Sequence, residues 1–176
     1  YDDYLYIVLK SLKAEDSQFA VTREQISLLV LRNFVFVFKE KKDDLFRPVL
    51  QRIKTSKGRL RSMGADYLAY VILDTIVDQY FVMIDTLDDA TIMLEDTLLS
   101  TEPQQETLNT IQRLKREIIR IRKHISPLRD LMAGLLRSES DLINETTHIY
   151  LRDVSDHSVR ETESIEAYRE ISSGLL

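Results

Sequence analysis

The residues of this 176-residue chain whose types and spacing could do chemistry are carboxylates. Asp74 and Asp78 lie one helical turn apart, as do Asp85 and Asp89, while Asp153 and Asp156 stand three apart. Like charges at such spacings cost an isolated helix roughly 0.2–0.5 kcal/mol. Each pair is therefore either a solvated acidic face or a place where a cation is held. Asp74 is the hardest to read as solvated. Its neighbours Ile72, Leu73, Thr75 and Ile76 form a largely apolar stretch, where a carboxylate needs a partner or a cation. Oxygen donors without cysteine suit hard cations such as Mg²⁺, which accept one or two carboxylates and keep several waters. Asp153 with His157, at i and i+4, could instead hold a softer ion such as Co²⁺ or Zn²⁺, although alone that pair is more often a simple hydrogen bond. His124 and His148 have no ligand set near them and read as surface residues.

Other chemistry finds no footing. There is no glycine-rich phosphate loop, no nucleophile elbow and no His-Glu-x-x-His pattern. No Ser or Thr has a recognisable base partner, so the chain reads as non-enzymatic. The absence of Cys excludes disulfides, thiolate metal sites and Cys nucleophiles. A formal net charge of -5 argues against a nucleic-acid partner, because phosphate binding needs a basic face. No run approaches the roughly 18–20 consecutive apolar residues of a transmembrane helix, and there is no signal peptide.

The elements that must position these groups follow from periodicity. With 44% hydrophobic residues but only 4 Gly and 3 Pro, the chain is too apolar for disorder and too poor in turn residues for an all-β fold. Tyr4–Leu9, Gln25–Leu31 and Phe34–Lys39 read as strands of a small antiparallel sheet, with Arg32-Asn33 as a two-residue hairpin loop of open turn type. Asp43 or Asp44 is placed as the cap of a helix through Lys54, with Pro48 near its first turn and Gly58 as its breaker.

From Gly64 to Leu99, apolar residues recur in steps of three and four: Ile72, Ile76, Tyr80, Met83 and Leu87. From Gln105 to Arg137 the same steps give Ile111, Leu114, Ile118, Ile121 and Ile125. These are two long amphipathic helices, and the short link at Ser100–Pro103 makes them antiparallel neighbours. The end of the first is acidic (Asp85, Asp88, Asp89, Glu95, Asp96), and the second carries Arg113, Lys115, Arg116, Arg120, Arg122 and Lys123. Folding at Pro103 would set Asp89 opposite Arg113 and Asp88 near Arg116, each exposed pair contributing only about 0–1 kcal/mol. A last helix, starting near Thr146 or Thr147, is weakly amphipathic. Ser158, Glu161 and Ser172 occupy the rows that a coiled-coil seam would fill. Such a helix must lie in a groove of the preceding two or be packed by other subunits. The fold class is α+β, predominantly α: a small antiparallel sheet, long antiparallel helices and a C-terminal helix.

Several of these segments resemble the CorA family of magnesium/cobalt transporters. Tyr4–Lys10 and Glu24–Leu28 are similar to its sheet segment. Gly64-Ala65-Asp66-Tyr67-Leu68-Ala69-Tyr70 followed by Asp78-Gln79-Tyr80-Phe81 resembles the start of its first long helix. Leu114–Glu117, Pro127–Arg129, Tyr150–His157, Glu166–Arg169 and Ser173–Leu176 extend the resemblance over essentially the whole chain. It implies a cytoplasmic, metal-sensing portion of a pentameric channel, on the cytoplasmic side of the cell membrane. The implied parts are a remnant of an α/β domain (1–62), a helical hairpin (63–145) and the start of a stalk helix (146–176). Divalent ions, Mg²⁺ or Co²⁺, would bind between subunits and favour the closed state. Asp74 and Asp153 match the sensor carboxylates, and Asp78, Asp156 and His157 are weaker candidates.

The same resemblance places the acidic pair that completes the sensor upstream of Tyr1. It places the Gly-Met-Asn signature and both membrane helices beyond Leu176, so contact with a membrane is expected only through those helices. Both ends accordingly read as interior to a longer chain. The residues by themselves leave open a coiled-coil interaction module without a metal role, and the resemblance leaves open the same domain of a zinc-transporting relative.

Overall fold

A computed structural model of the chain describes residues 3–14, 21–56, 58–100 and 104–174, with the Leu99 side chain outside the description. Three strands come first: β1 (Leu5–Ala14), β2 (Val21–Val30) and β3 (Val35–Lys39). They form an antiparallel meander in the order β1-β2-β3, with Leu5 opposite Val30, Ala14 opposite Val21, and Val30 opposite Val35. Alternation sets its two faces. Ile7, Leu9, Ile26, Leu28 and Val30 are buried inward, whereas Tyr6, Val8, Phe36 and Phe38 stay exposed. Arg32-Asn33 is the hairpin loop as expected, closed by Leu31 N–H donating to the Phe34 carbonyl at 2.8 Å. Neither residue takes a positive φ; the only described non-glycine residue that does is Ser56.

Helix α1 (Arg47–Lys54) starts later than an Asp43 or Asp44 cap would set it. Its N-cap is Phe46, without a side-chain cap bond. Asp43 is engaged elsewhere: its Oδ1 accepts from Leu45 N–H at 3.0 Å and pairs with Lys39. Pro48 sits in the first turn, where its missing N–H costs nothing. Gly58 takes φ +75, a conformation that a side chain disfavours, and turns the chain toward the next helix.

Three long helices complete the fold: α2 (Ala65–Ser100), α3 (Gln105–Leu136) and α4 (Glu145–Gly174). The turn assigned to Pro103 lies outside the described residues. One core runs through the sheet's inner face and all three helices, with Ile76, Tyr80, Leu87, Ile118, Ile125 and Val154 at its centre. Helix α2 is buried on more than one face because the sheet and α4 both lie against it. Over Ala65–Leu98 it is long and apolar enough to cross a membrane, which the lack of an uninterrupted apolar run conceals; just over half of its most apolar window is buried inside the fold.

The weakly amphipathic α4 lies in the groove of the other two, packing against both more extensively than they pack against each other. Its buried residues are Thr147, Leu151, Val154, Ser158, Glu161, Ile165 and Ser172, all at or below 3% exposure, so polar residues fill four of the seven positions. This arrangement also changes the expected charge pairing. Among the described residues an ion pair between helices joins Arg122 of α3 to Glu166 of α4, and Asp88 of α2 meets the Tyr168 hydroxyl of α4.

Candidate metal-binding face

Two ties fix how α2 and α4 start. The buried carboxylate of Asp66, in the first turn of α2, accepts from the backbone N–H and the side-chain amide of Asn144, each at 2.9 Å. Burial alone would raise its pKa; contacts with Thr147 and Asn144 outweigh that and hold the carboxyl below its ordinary value. The second tie is aromatic. Tyr67 and Tyr70 of α2 pack on Tyr150 of α4 with ring centroids 5.1 and 5.2 Å apart, and Arg59 donates to the Tyr150 hydroxyl. Gly64 lets the chain pass this knot: a Cβ there would stand 2.6 Å from Asp66 Oδ1.

With their first turns joined, α2 and α4 run side by side in the same direction. At about 1.5 Å per residue, Asp74 stands about 12 Å beyond Asp66, and Asp153 about 14 Å beyond Asn144. The two carboxylates therefore arrive at the same level, which explains their mutual influence. Asp74 is half-buried among Ile72, Leu73 and Ile76. Burial pushes its carboxyl above the ordinary range and Asp78 adds to the push. His157 and Arg52 oppose, and Asp153 pushes upward again. Tyr70 feels the same field, raised to about 12 by burial and then by Asp74, Tyr67 and Asp153. His157 is half-buried, its ring edge-on to Phe81 at 6.3 Å.

Asp74, Asp78, Asp153 and His157 thus form one face between α2 and α4, with Arg52 of α1 nearby. Asp78 and Asp153 are exposed. Asp156 is also exposed, and it is not among the charges acting on Asp74. Among the described residues, no three His, Asp or Glu side chains converge closely enough to hold a metal ion. The donors fit a hard divalent cation in charge and type. In number they fall short, so a bound ion needs waters or ligands from outside this chain. His124, read from sequence as a surface residue, is half-buried with Nε2 3.5 Å from Arg23 Nη1.

The site residue that sequence reasoning passed over is Glu161. It lies in the α4 seam at 2% exposure. Burial, reinforced by Asp85 of α2 and opposed by Arg160, raises its carboxyl to about 7. The signal was available: Glu161 shares a seven-residue row with Val154, and a carboxylate in a seam row is anomalous unless the seam is wet.

A small antiparallel sheet on long helices, with an acidic face between two parallel helices, defines an α+β domain. The whole chain, residues 1–176, matches the model described as CorA-like Mg2+ transporter protein, and it belongs to that family. By that description the family is one of transporters, not enzymes. The chain is 39% identical over 176 residues to the cobalt/magnesium transport protein CorA of Thermotoga maritima, matching 100% of this chain and 50% of that protein. The chain therefore spans half of that relative's length.

Its fold is that of the soluble domain of CorA from Methanocaldococcus jannaschii, with a TM-score of 0.84 and 21% identity over 99% of this chain and 69% of that one. The cytoplasmic domain of ZntB from Vibrio parahaemolyticus is similar too, with a TM-score of 0.80 at 18% identity over 99% and 67% of the two chains. At these identities the likeness establishes the fold alone.

Proposed function

We propose that this chain is the cytoplasmic, metal-sensing portion of a CorA-type Mg²⁺/Co²⁺ transport channel. Its three parts are a remnant of an α/β domain (1–62), a helical hairpin (63–145) and the start of a stalk helix (146–176) leading to membrane helices. The parent is a homopentamer, and ions held between subunits favour its closed state. The observation that carries this reading is Asp74: half-buried, beside Asp78, level with Asp153, and without an ion-pair partner of its own among the described residues. The shortage of donors within one chain is what a site shared across a subunit boundary requires.

Carboxylates from neighbouring subunits repel, and a divalent ion converts the repulsion into a bridge. Losing the ion shifts the closed–open equilibrium by the difference in affinity between the two states. Asp74 and Asp153 are the assigned ligands; Asp78, Asp156 and His157 are secondary.

The test is a melting scan of the chain and its Asp74→Asn and Asp153→Asn variants, with and without millimolar Mg²⁺, Co²⁺ or Zn²⁺, at raised protein concentration. A ligand at ten times its Kd stabilises by about 1.4 kcal/mol, and both variants are expected to lose most of that gain. Variants that gain as much as the parent chain would show these aspartates to be solvated surface charge, as a helical interaction module without a metal role requires. A response to Zn²⁺ alone would move the reading to a zinc-transporting relative.

A further inference from the structure

The fold also carries a basic cluster, where β1 meets α2 and α3. Lys10 of β1, and Lys123 and His124 of α3, line a notch of about 170 Å³, and Arg23 of β2 reaches His124 from outside its lining. Apolar Val8, Leu9 and Leu128 help to wall the notch, and its strand edge is fixed by the Tyr80 hydroxyl donating to the Lys10 carbonyl. Lys10 Nζ is steered by a 3.1 Å bond to Gln25 Oε1.

Arg23 Nη1 lies 3.5 Å from His124 Nε2. Because a guanidinium only donates, that nitrogen must be the acceptor and the imidazole neutral. Burial, then the charges of Arg23, Lys10 and Lys123, holds His124 below its ordinary value, and no acid among the described residues acts on it. None of Lys10, Arg23 and Lys123 joins an ion pair among the described residues. Three cations from three elements are thus gathered around an imidazole without a counter-ion among the described residues, in a chain whose net charge is -5.

Arg23 lines a separate cleft of about 500 Å³ with Lys13, Lys41 and Lys42, where the two described acids, Glu24 and Asp43, are taken by Lys39. The positive field therefore continues past the notch.

We propose that the notch between β1, α2 and α3, with Arg23 of β2 beside its His124, is an anion site that takes a phosphoryl group, either free or at the end of a larger molecule. Lys10 and Lys123 supply point charges, Arg23 a planar fork of donors, and His124 a further donor once the anion draws a proton onto it. The basic cleft that Arg23 lines would receive the remainder of a larger ligand.

The experiment is imidazole nitrogen NMR of the 176-residue chain, titrated with inorganic phosphate in metal-free buffer at ionic strength held constant with chloride. With three His in the chain, His148 and His157 serve as internal references. Saturable movement of the His124 signals alone is expected, with its titration midpoint shifted upward and binding at least tenfold weaker in Arg23→Gln/Lys123→Gln. Arg23→Lys, which keeps the charge and loses the fork, is expected to weaken binding several-fold, and it remains informative should the double variant fail to fold. Parallel arms with ADP and with phosphatidylglycerol vesicles identify the source: tighter ADP binding at the same signals assigns the phosphoryl group to a nucleotide. A His124 response matched by chloride, an undiminished response in the variants, or vesicle binding with no response to soluble phosphate or ADP would each overturn the proposal.

Discussion

Raising the pH from 5 to 8 should cost this fold stability through one residue, Glu161. Its carboxyl titrates near 7 in the folded chain, against 4.5 for an ordinary glutamate. Between those values the folded state holds a proton that the unfolded state has released. Stability is then fully present below about 4.5, falls as pH rises through 7, and is flat above. A gap of about 2.5 pH units at about 1.4 kcal/mol each sets a ceiling of about 3 kcal/mol. Solvent reaching the seam lowers the expected effect to about 2 kcal/mol.

Asp43, Asp66 and Glu166, whose carboxyls are held low, contribute with the opposite sign and lose their effect as pH falls through their folded values. The clean measurement is therefore a difference. Urea unfolding of the chain and of Glu161→Gln should nearly coincide at pH 4, below the ordinary glutamate value, the amide standing in for the protonated acid. At pH 8 the variant should be more stable by about 2 kcal/mol. A difference between the two proteins that does not change from pH 4 to 8 would refute the assignment of a buried, proton-holding carboxyl to the α2–α4 seam.

Gly64→Ala should destabilise the chain by about 1–3 kcal/mol, because the added Cβ meets the tethered Asp66 carboxylate; thermal melting reads the loss. Tyr80→Phe removes the hydroxyl that donates to the Lys10 carbonyl and should cost about 1 kcal/mol in urea unfolding, with amide exchange quickened along β1. Ile118→Ala, at a site with no exposure, should cost about 2–5 kcal/mol, whereas the same change at exposed Ile119 should cost far less.

Much of the fold was legible because long helices state their period repeatedly. The stripes through Ile72, Ile76 and Tyr80, and through Ile111, Leu114 and Ile118, are the residues the core uses. Strand ends were less so. β1 runs on through Lys10, Ser11, Leu12 and Lys13, whose polar character hides a pairing made by backbone groups with β2. The α1 cap was misplaced because an aspartate's bonding partner is a tertiary fact: Asp43 is taken by Lys39 and the Leu45 amide. Asp74 could be singled out from its apolar neighbours, yet its level match with Asp153 depends on the Asp66–Asn144 tie across 78 residues of sequence. Periodicity carries no such register.

The same tie brings the acidic candidates of the fold to one seam. Asp74 and Asp78 precede Asp85 and Asp88 along α2, and Asp153 precedes Glu161 along α4, so the two helices carry like charge toward each other over several turns. Apolar contact is only part of what holds α4, since Thr147, Ser158, Glu161 and Ser172 take four of its seven buried positions. Whatever removes negative charge from the seam therefore tightens α4 on α2, whether a divalent ion beside Asp74 and Asp153 or a proton on Glu161. The two ought to substitute for one another in part. The stabilisation gained from Mg²⁺ should be smaller at pH 5.5 than at pH 8, and Glu161→Gln should shrink that difference while leaving binding at Asp74 intact. Equal Mg²⁺ stabilisation at both pH values would mean that the Asp74 face and Glu161 act as separate sites rather than as one charged seam.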